Sequence, residues 1–175
     1  MDKKEIIIIK TNKTATISNE SKFIIIKCLE ENFSPIELRS KSSQLKAFLH
    51  PNYRVSYVKN KKIIAFLLWW DFGNVRFIEY ICVLEEYRNQ GIGSSLIKSC
   101  IDANIITVVE VEENSKAYKF YQKNNFIKND YIYQAIPLQN GFNVGNYNIF
   151  SYGKVLSNQE WDTFISLIHQ DEYQF

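Results

Sequence analysis

Three features of the sequence point to an α+β fold in which one mostly antiparallel sheet lies between helices. β-branched and aromatic runs of strand length gather in the middle of the chain. Segments with apolar residues at helical spacing stand before and after them. Strands and helices neither alternate regularly nor separate into an all-β block, which disfavours a doubly wound parallel sheet and a sandwich. The 175 residues are 46% hydrophobic and 23% charged, an ordinary globular composition, and they fit a single domain spanning 1–175. A domain of this size buries roughly 70% of the surface its unfolded chain exposes, so its core needs no disulfide or metal.

The β-branched stretch from Glu5 to Ile17 reads as a strand with a turn at Asn12. Ser18 or Asn19 then caps a helix that carries Ile24, Ile25, Cys28 and Leu29 on one face. Ser34-Pro35 opens a second helical stretch with Leu38, Leu45, Phe48 and Leu49, ending at His50-Pro51, and the intervening Glu31 to Ser43 is polar. Tyr53 to Lys59, Ile63 to Trp70 and Val75 to Leu84 form an antiparallel meander broken at Asn60-Lys61-Lys62 and Asp71-Phe72-Gly73-Asn74. A polar loop leads through Gly91-Ile92-Gly93 into a helix with Leu96, Ile97, Cys100 and Ile101 on one face. Ile105 to Val111 is a strand, and Asn114 caps the helix after it. Phe126 to Ile136 and Tyr147 to Tyr152 read as strands around a loop with Asn140-Gly141 and Gly145. An amphipathic helix with Trp161, Phe164, Ile165 and Ile168 closes the chain.

Several function classes are excluded at this point. The net charge of +2 comes without a Lys/Arg stripe, so no nucleic acid is expected as partner. Cys28, Cys82 and Cys100 are odd in number and set among apolar residues, and with only His50 and His169 beside them neither a disulfide framework nor a metal site is expected. The longest apolar run, Ile63 to Trp70, is far short of the ~20 residues that cross a bilayer. Met1 to Glu5 lacks the apolar region of a signal peptide, so the expectation is a cytoplasmic protein without membrane contact.

The informative stretch runs from Glu79 through Arg88-Asn89-Gln90-Gly91-Ile92-Gly93-Ser94, a strand passing through a glycine turn into a helix. Amides of such a turn and of the first helical residues point outward together and meet the positive end of the helix dipole, a geometry suited to a pyrophosphate. Gly-x-Gly alone is equally a plain strand-to-helix turn. The spacing Arg88-x-x-Gly91-x-Gly93, five residues after the strand-closing Val83, resembles the acetyl-coenzyme A signature of the GNAT N-acetyltransferase superfamily. A second block, Asn114-x-x-Ala117-x-x-Phe120-Tyr121-x-x-x-Asn125-Phe126, resembles the later motif of the same superfamily. Two departures stand out: Asn125 replaces the usual Gly, a change a positive φ tolerates, and the stretch between Val111 and Asn114 is short.

The resemblance implies a GNAT-like acyl-coenzyme A N-acyltransferase fold and acetyl-CoA as co-substrate. Amides from Arg88, Asn89, Gln90, Gly91, Ile92, Gly93 and Ser94 would grip the pyrophosphate, while Ile81, Cys82 and Val83 offer strand-edge groups to the pantetheine arm. Asn114, Ala117 and Phe120 would line the same cofactor. Each also has a bland reading: Ile81 and Val83 as core strand, Cys82 as inert packing, Arg88 as a solvated charge. The family places a Tyr at Tyr121 near the thioester sulfur, where a phenol protonates the departing thiolate; alternatively Tyr121 packs the helix, sharing a face with Ala117.

An amine acceptor is mostly protonated at neutral pH and must lose a proton before attack. Glu79 is the leading base because alternation puts Glu79, Ile81 and Val83 on one strand face. Glu110, with Glu112, faces oppositely to Val111 and is the second candidate; either could instead be a solvated or paired rim carboxylate. A backbone amide near Cys82 or Val83 would meet the oxyanion. The acceptor would lie over the first helices and the late loop, met by Glu30, Glu31, Glu37, Trp69 and Trp70. Phe77 and Cys82 would set the acyl length, and the last strand and Trp161 helix could support a homodimer. The reading is acetyl transfer to a primary amine of a small molecule or a peptide or lysine, by direct attack in a ternary complex. A non-catalytic acyl-CoA-binding regulatory module is the alternative.

Overall fold

The computed structural model describes residues 8–133 and 147–168. Among the described residues, seven strands and five helices follow one another as β1 (Ile9–Lys13), α1 (Asn19–Asn32), α2 (Lys41–Ala47), β2 (Tyr53–Asn60), β3 (Lys62–Asp71), β4 (Val75–Val83), α3 (Ile92–Cys100), β5 (Ile106–Glu112), α4 (Lys116–Lys123), β6 (Phe126–Lys128), β7 (Tyr147–Tyr152) and α5 (Asn158–Leu167). The strands form one sheet in the order β1-β2-β3-β4-β5-β7-β6. Every neighbouring pair is antiparallel except β4 and β5.

Serine starts four of the five described helices. Ser18, Ser40, Ser115 and Ser157 each accept a bond from the backbone N–H three residues on, at 3.1, 3.1, 3.2 and 3.3 Å. Each bond satisfies an amide that the helix itself cannot, and is worth roughly 1 kcal/mol. The apolar run Ile63 to Trp70 is buried throughout because β3 is covered on both faces, which is why it does not alternate. On one face Ile25, Leu29, Phe48, Tyr53, Trp70, Phe77 and Phe164 form a core under α1, α2 and α5. On the other, Leu67, Trp69, Ile78, Leu96, Ile97, Tyr121 and Phe150 form a second core under α3 and α4. The sheet is thus a single layer between helices.

Several expected boundaries move. The first strand is short: after Lys13 the chain turns through a 3₁₀ segment at Thr14–Thr16, and Glu5 lies outside the described residues. The stretch opened by Ser34-Pro35 is one 3₁₀ turn, Pro35–Glu37, closed by the reciprocal bond of Glu37 to Ser34; a separate helix starts after Ser40. Ser115, not Asn114, caps α4, and Asn114 adopts a left-handed conformation with φ of 61°. β6 ends at Lys128, where the Asn129 side chain takes over, bonding to Ser151 at 2.8 Å and accepting from the Leu156 amide at 2.7 Å. Asn140, Gly141, Gly145 and His169 lie outside the described residues.

Candidate active site

The parallel pairing of β4 and β5 is brief. It runs from Val75 opposite Ile106 to Ile78 opposite Val109 and then stops. β4 continues along β3 and β5 continues along β7, so the sheet forks at Glu79 and Glu110. A β-bulge marks the same point: Leu68 lies opposite Tyr80 and Trp69 opposite Ile78, leaving Glu79 as the extra residue.

That bulge overturns the expected alternation. Glu79 turns toward Tyr53 and Trp70 in the core under α1, whereas Ile81 and Val83 pack in the core under α3 and α4. Inserting one residue flips every side chain after it relative to those before. The backbone groups sort as cleanly. The Leu84 amide donates to Ile64 at 3.0 Å, so alternate residues Cys82 and Tyr80 spend their amides and carbonyls on β3, and those of Ile81 and Val83 face the fork. Cys82 therefore offers no strand-edge group there, and its amide is not placed to meet an oxyanion. Burial pushes its thiol up to about 11, which keeps it neutral and inert.

The turn into α3 is an anion cradle by construction. Asn89 and Gly91 adopt positive φ of 62° and 80°, and no side chain caps the helix. From Asn89 to Ser94 no amide N–H donates to an acceptor among the described residues. Six consecutive unspent donors at a helix N-terminus suit a diphosphate. Arg88 is exposed, and its guanidinium donates to the Val83 carbonyl and to Asn32 Oδ1, both at 2.9 Å, tying the turn to β4 and α1.

Gly93 lies close against its neighbour. A Cβ there would stand 3.2 Å from Phe120 and 3.8 Å from Val83, so α4 leans directly on the first turn of α3. Phe120 meets Tyr121 edge-on at 5.2 Å, and Tyr121 meets Phe126 in the same way. Asn125 holds φ of 67°, the left-handed turn that its side chain tolerates. Tyr121 is buried, and its phenol has no hydrogen-bond partner among the described residues; burial, with Cys100 nearby, pushes it well above its ordinary range. It stays protonated at any physiological pH, as a proton donor must. Asn114 and Ala117 are exposed at the start of α4.

The two candidate bases differ in their donors. Glu79 accepts from Arg39 Nε at 3.0 Å, from Trp70 Nε1 at 3.2 Å and from the Tyr53 phenol, and Arg39 Nη2 lies 2.8 Å from the same carboxylate. Glu110 accepts from the Tyr133 phenol and faces the α1 core side, opposite to Val111, as the alternation predicted. Trp69 and Trp70 do not form an acceptor wall; they are buried in opposite cores. Among the described residues no cluster of metal-ligating side chains occurs and no helix is long and apolar enough to cross a membrane.

Comparison with known proteins shows what the chain is similar to. The family model of the acetyltransferase (GNAT) domain matches residues 48–128, which contain the fork, the α3 turn and α4. Over these residues the chain is similar to the GNAT acetyltransferase domain. A structure from Bacteroides thetaiotaomicron described as a GNAT-family acetyltransferase superposes with a TM-score of 0.80 at 20% identity, covering 97% of this chain and 99% of that one. An acyl-CoA N-acyltransferase from Pseudomonas aeruginosa gives 0.60 at 13% identity, with 83% and 99% covered. The ribosomal-protein-S18-alanine N-acetyltransferase from Escherichia coli gives 0.62 at 15%, with 87% and 97% covered. These likenesses establish the GNAT acyl-CoA N-acyltransferase fold. A search of the curated proteins finds no match.

The acyl-CoA co-substrate that the GNAT family implies fits the residues present: the unspent amides of 89–94, the outward amide and carbonyl of Ile81 and the Val83 amide are hydrogen-bonding capacity that the described fold does not use. Sequence reasoning missed Arg39, Tyr53 and Tyr133, the partners of the two glutamates. Tyr131 and Tyr133, two apart on an extended segment, were the one local signal, since such spacing puts both rings on one side.

Proposed function

We propose that this chain is a GNAT domain over the whole of 1–175 and transfers the acetyl group of acetyl-CoA to a primary amine of a small molecule, or of a peptide or lysine, by direct attack in a ternary complex. One observation carries the reading: unspent amides at 89–94 lie next to a fork whose free edge, at Ile81 and Val83, leads toward the two glutamates. Acetyl-CoA supplies the activated acetyl group. Residues 89–94 bind its diphosphate and Ile81 and Val83 hold the arm in extended form, like an added strand. Phe120 and Tyr121 close one side, and the Tyr121 phenol gives its proton to the departing sulfur.

Glu110 is the better base. Four donor atoms occupy the lone pairs of Glu79, so one must be dislodged before that carboxylate takes a proton, and two of those contacts are charge-assisted. Glu79 instead fixes the bulge that opens the fork. A cytoplasmic setting fits the three cysteines, all of them free. The saturation of Glu79 also favours a second reading, an acyl-CoA-binding regulatory module without turnover. Thiol release from acetyl-CoA across polyamines, amino acids and peptides, with Tyr121→Phe beside the wild type, tests both. Acceptor-dependent release that falls roughly 100-fold in the variant is expected for a lost proton donor. Tight cofactor binding by calorimetry with no release from any acceptor supports the module, and no binding at all overturns both.

A further inference from the structure

Beyond the fork, an aromatic brace reaches Glu110 from the far end of the chain. The Tyr131 ring lies flat on Trp161 of α5, with centroids 4.4 Å apart and planes 3° apart. Its hydroxyl donates to the Leu156 carbonyl at 3.1 Å and lies 2.9 Å from Asn158 Oδ1, which fixes the segment after β6 to the start of α5. Tyr133 meets the same indole edge-on, at 6.0 Å and 85°. The indole rests in turn on Phe164, which is fully buried. From this support the Tyr133 phenol donates to Glu110 Oε1.

We propose that Tyr133 is a positioning residue for acetyl transfer: braced by Trp161, its phenol holds the Glu110 carboxylate ionised and oriented at the fork of β4 and β5. The inference rests on Glu110 being the base. A glutamate has three rotatable bonds, and a base must stand within hydrogen-bond reach of the amine proton, so a fixed donor on one oxygen reduces what must be ordered during the reaction. Charge makes the same demand. Burial, and after it the charges of Glu37, Glu112 and Glu110, pushes the phenol of Tyr147 in β7 up to about 12, so three carboxylates share these surroundings. Across the fork stands Glu79, neutralised by Arg39. Like charges favour protonation of one another, and a phenol donating to Glu110 opposes that by stabilising its charged form.

Carbon NMR of the full chain labelled at the glutamate carboxyl reads the tie directly, with Glu110→Gln assigning the Glu110 signal by its loss. Tyr133→Phe keeps the ring on Trp161 and removes only the hydroxyl. The Glu110 midpoint is expected to rise by about one pH unit in that variant, the size of one lost hydrogen bond to a carboxylate. With acetyl-CoA and whichever of spermidine, a lysine peptide or an alanyl peptide releases thiol in the wild type, kcat is expected to fall roughly tenfold with the acetyl-CoA KM unchanged. An unmoved Glu110 midpoint in Tyr133→Phe overturns the proposal, whatever the kinetics. If Glu110→Gln abolishes turnover while Tyr133→Phe changes neither midpoint nor kcat, the base stands and the positioning role falls. If the midpoint moves but Glu110→Gln keeps full turnover, the base reading falls and the positioning role falls with it.

Discussion

Arg39 and Glu79 have side chains only 1% and 4% exposed and form a buried ion pair. Glu79→Gln takes a charged partner from the buried Arg39 guanidinium, and a loss of about 3 kcal/mol, the low end for a broken buried pair, is expected in urea unfolding. Glu110→Gln replaces a half-buried carboxylate with an amide of the same shape whose oxygen still accepts from the Tyr133 phenol, and its stability is expected to change by less than about 1 kcal/mol while turnover is lost. The opposite ranking would make Glu110 the structural member of the pair. The two roles were not legible in the sequence, because the deciding partners are remote: Arg39 is 40 residues from Glu79 and Tyr133 is 23 from Glu110. Tyr121 and Asn125 were legible because a motif fixes their spacing and a left-handed turn admits few residues; Asn125 holds φ of 67°.

The elements that strand and helix periodicity define were readable, and the middle meander came within a residue of its observed bounds at most ends. Alternation failed at two bulges, Ile64 in β3 and Glu79 in β4, because a bulge is set by pairing with the neighbouring strand and leaves no mark on its own strand alone. α3 and α4 meet through Gly93 and Phe120, and this contact makes a prediction with a sign. Gly93→Ala gains helix propensity of up to about 1 kcal/mol, but its methyl would stand 3.2 Å from the Phe120 ring, so the gain is offset. In a Phe120→Leu background the ring is gone, and the same substitution is expected to raise the thermal midpoint. Equal effects in both backgrounds would mean that α4 already yields at that contact.

For the molecule as a whole, the sheet consists of two parts, β1 to β4 and β5 with β7 and β6, joined by four residue pairs from Val75–Ile106 to Ile78–Val109. β7 lies between β5 and β6, so the last strand in sequence is not an edge through which two copies could join. A chain paired so sparingly at its middle is held together chiefly by the helices packed across both faces.

The fork sets a test in solvent hydrogen rather than in chemistry. Ile81 and Val83 sit in a strand flanked by core, yet their amides donate to nothing among the described residues, so deuterium should enter them far faster than Tyr80 and Cys82 beside them, whose bonds to β3 must first open. Saturating acetyl-CoA should slow residues 81 and 83 and the run from Asn89 to Ser94 together, while leaving β2 unchanged. Slow exchange at Ile81 before any ligand is added would mean that the two halves of the sheet close on each other at rest, so that the binding cleft exists only when something enters it.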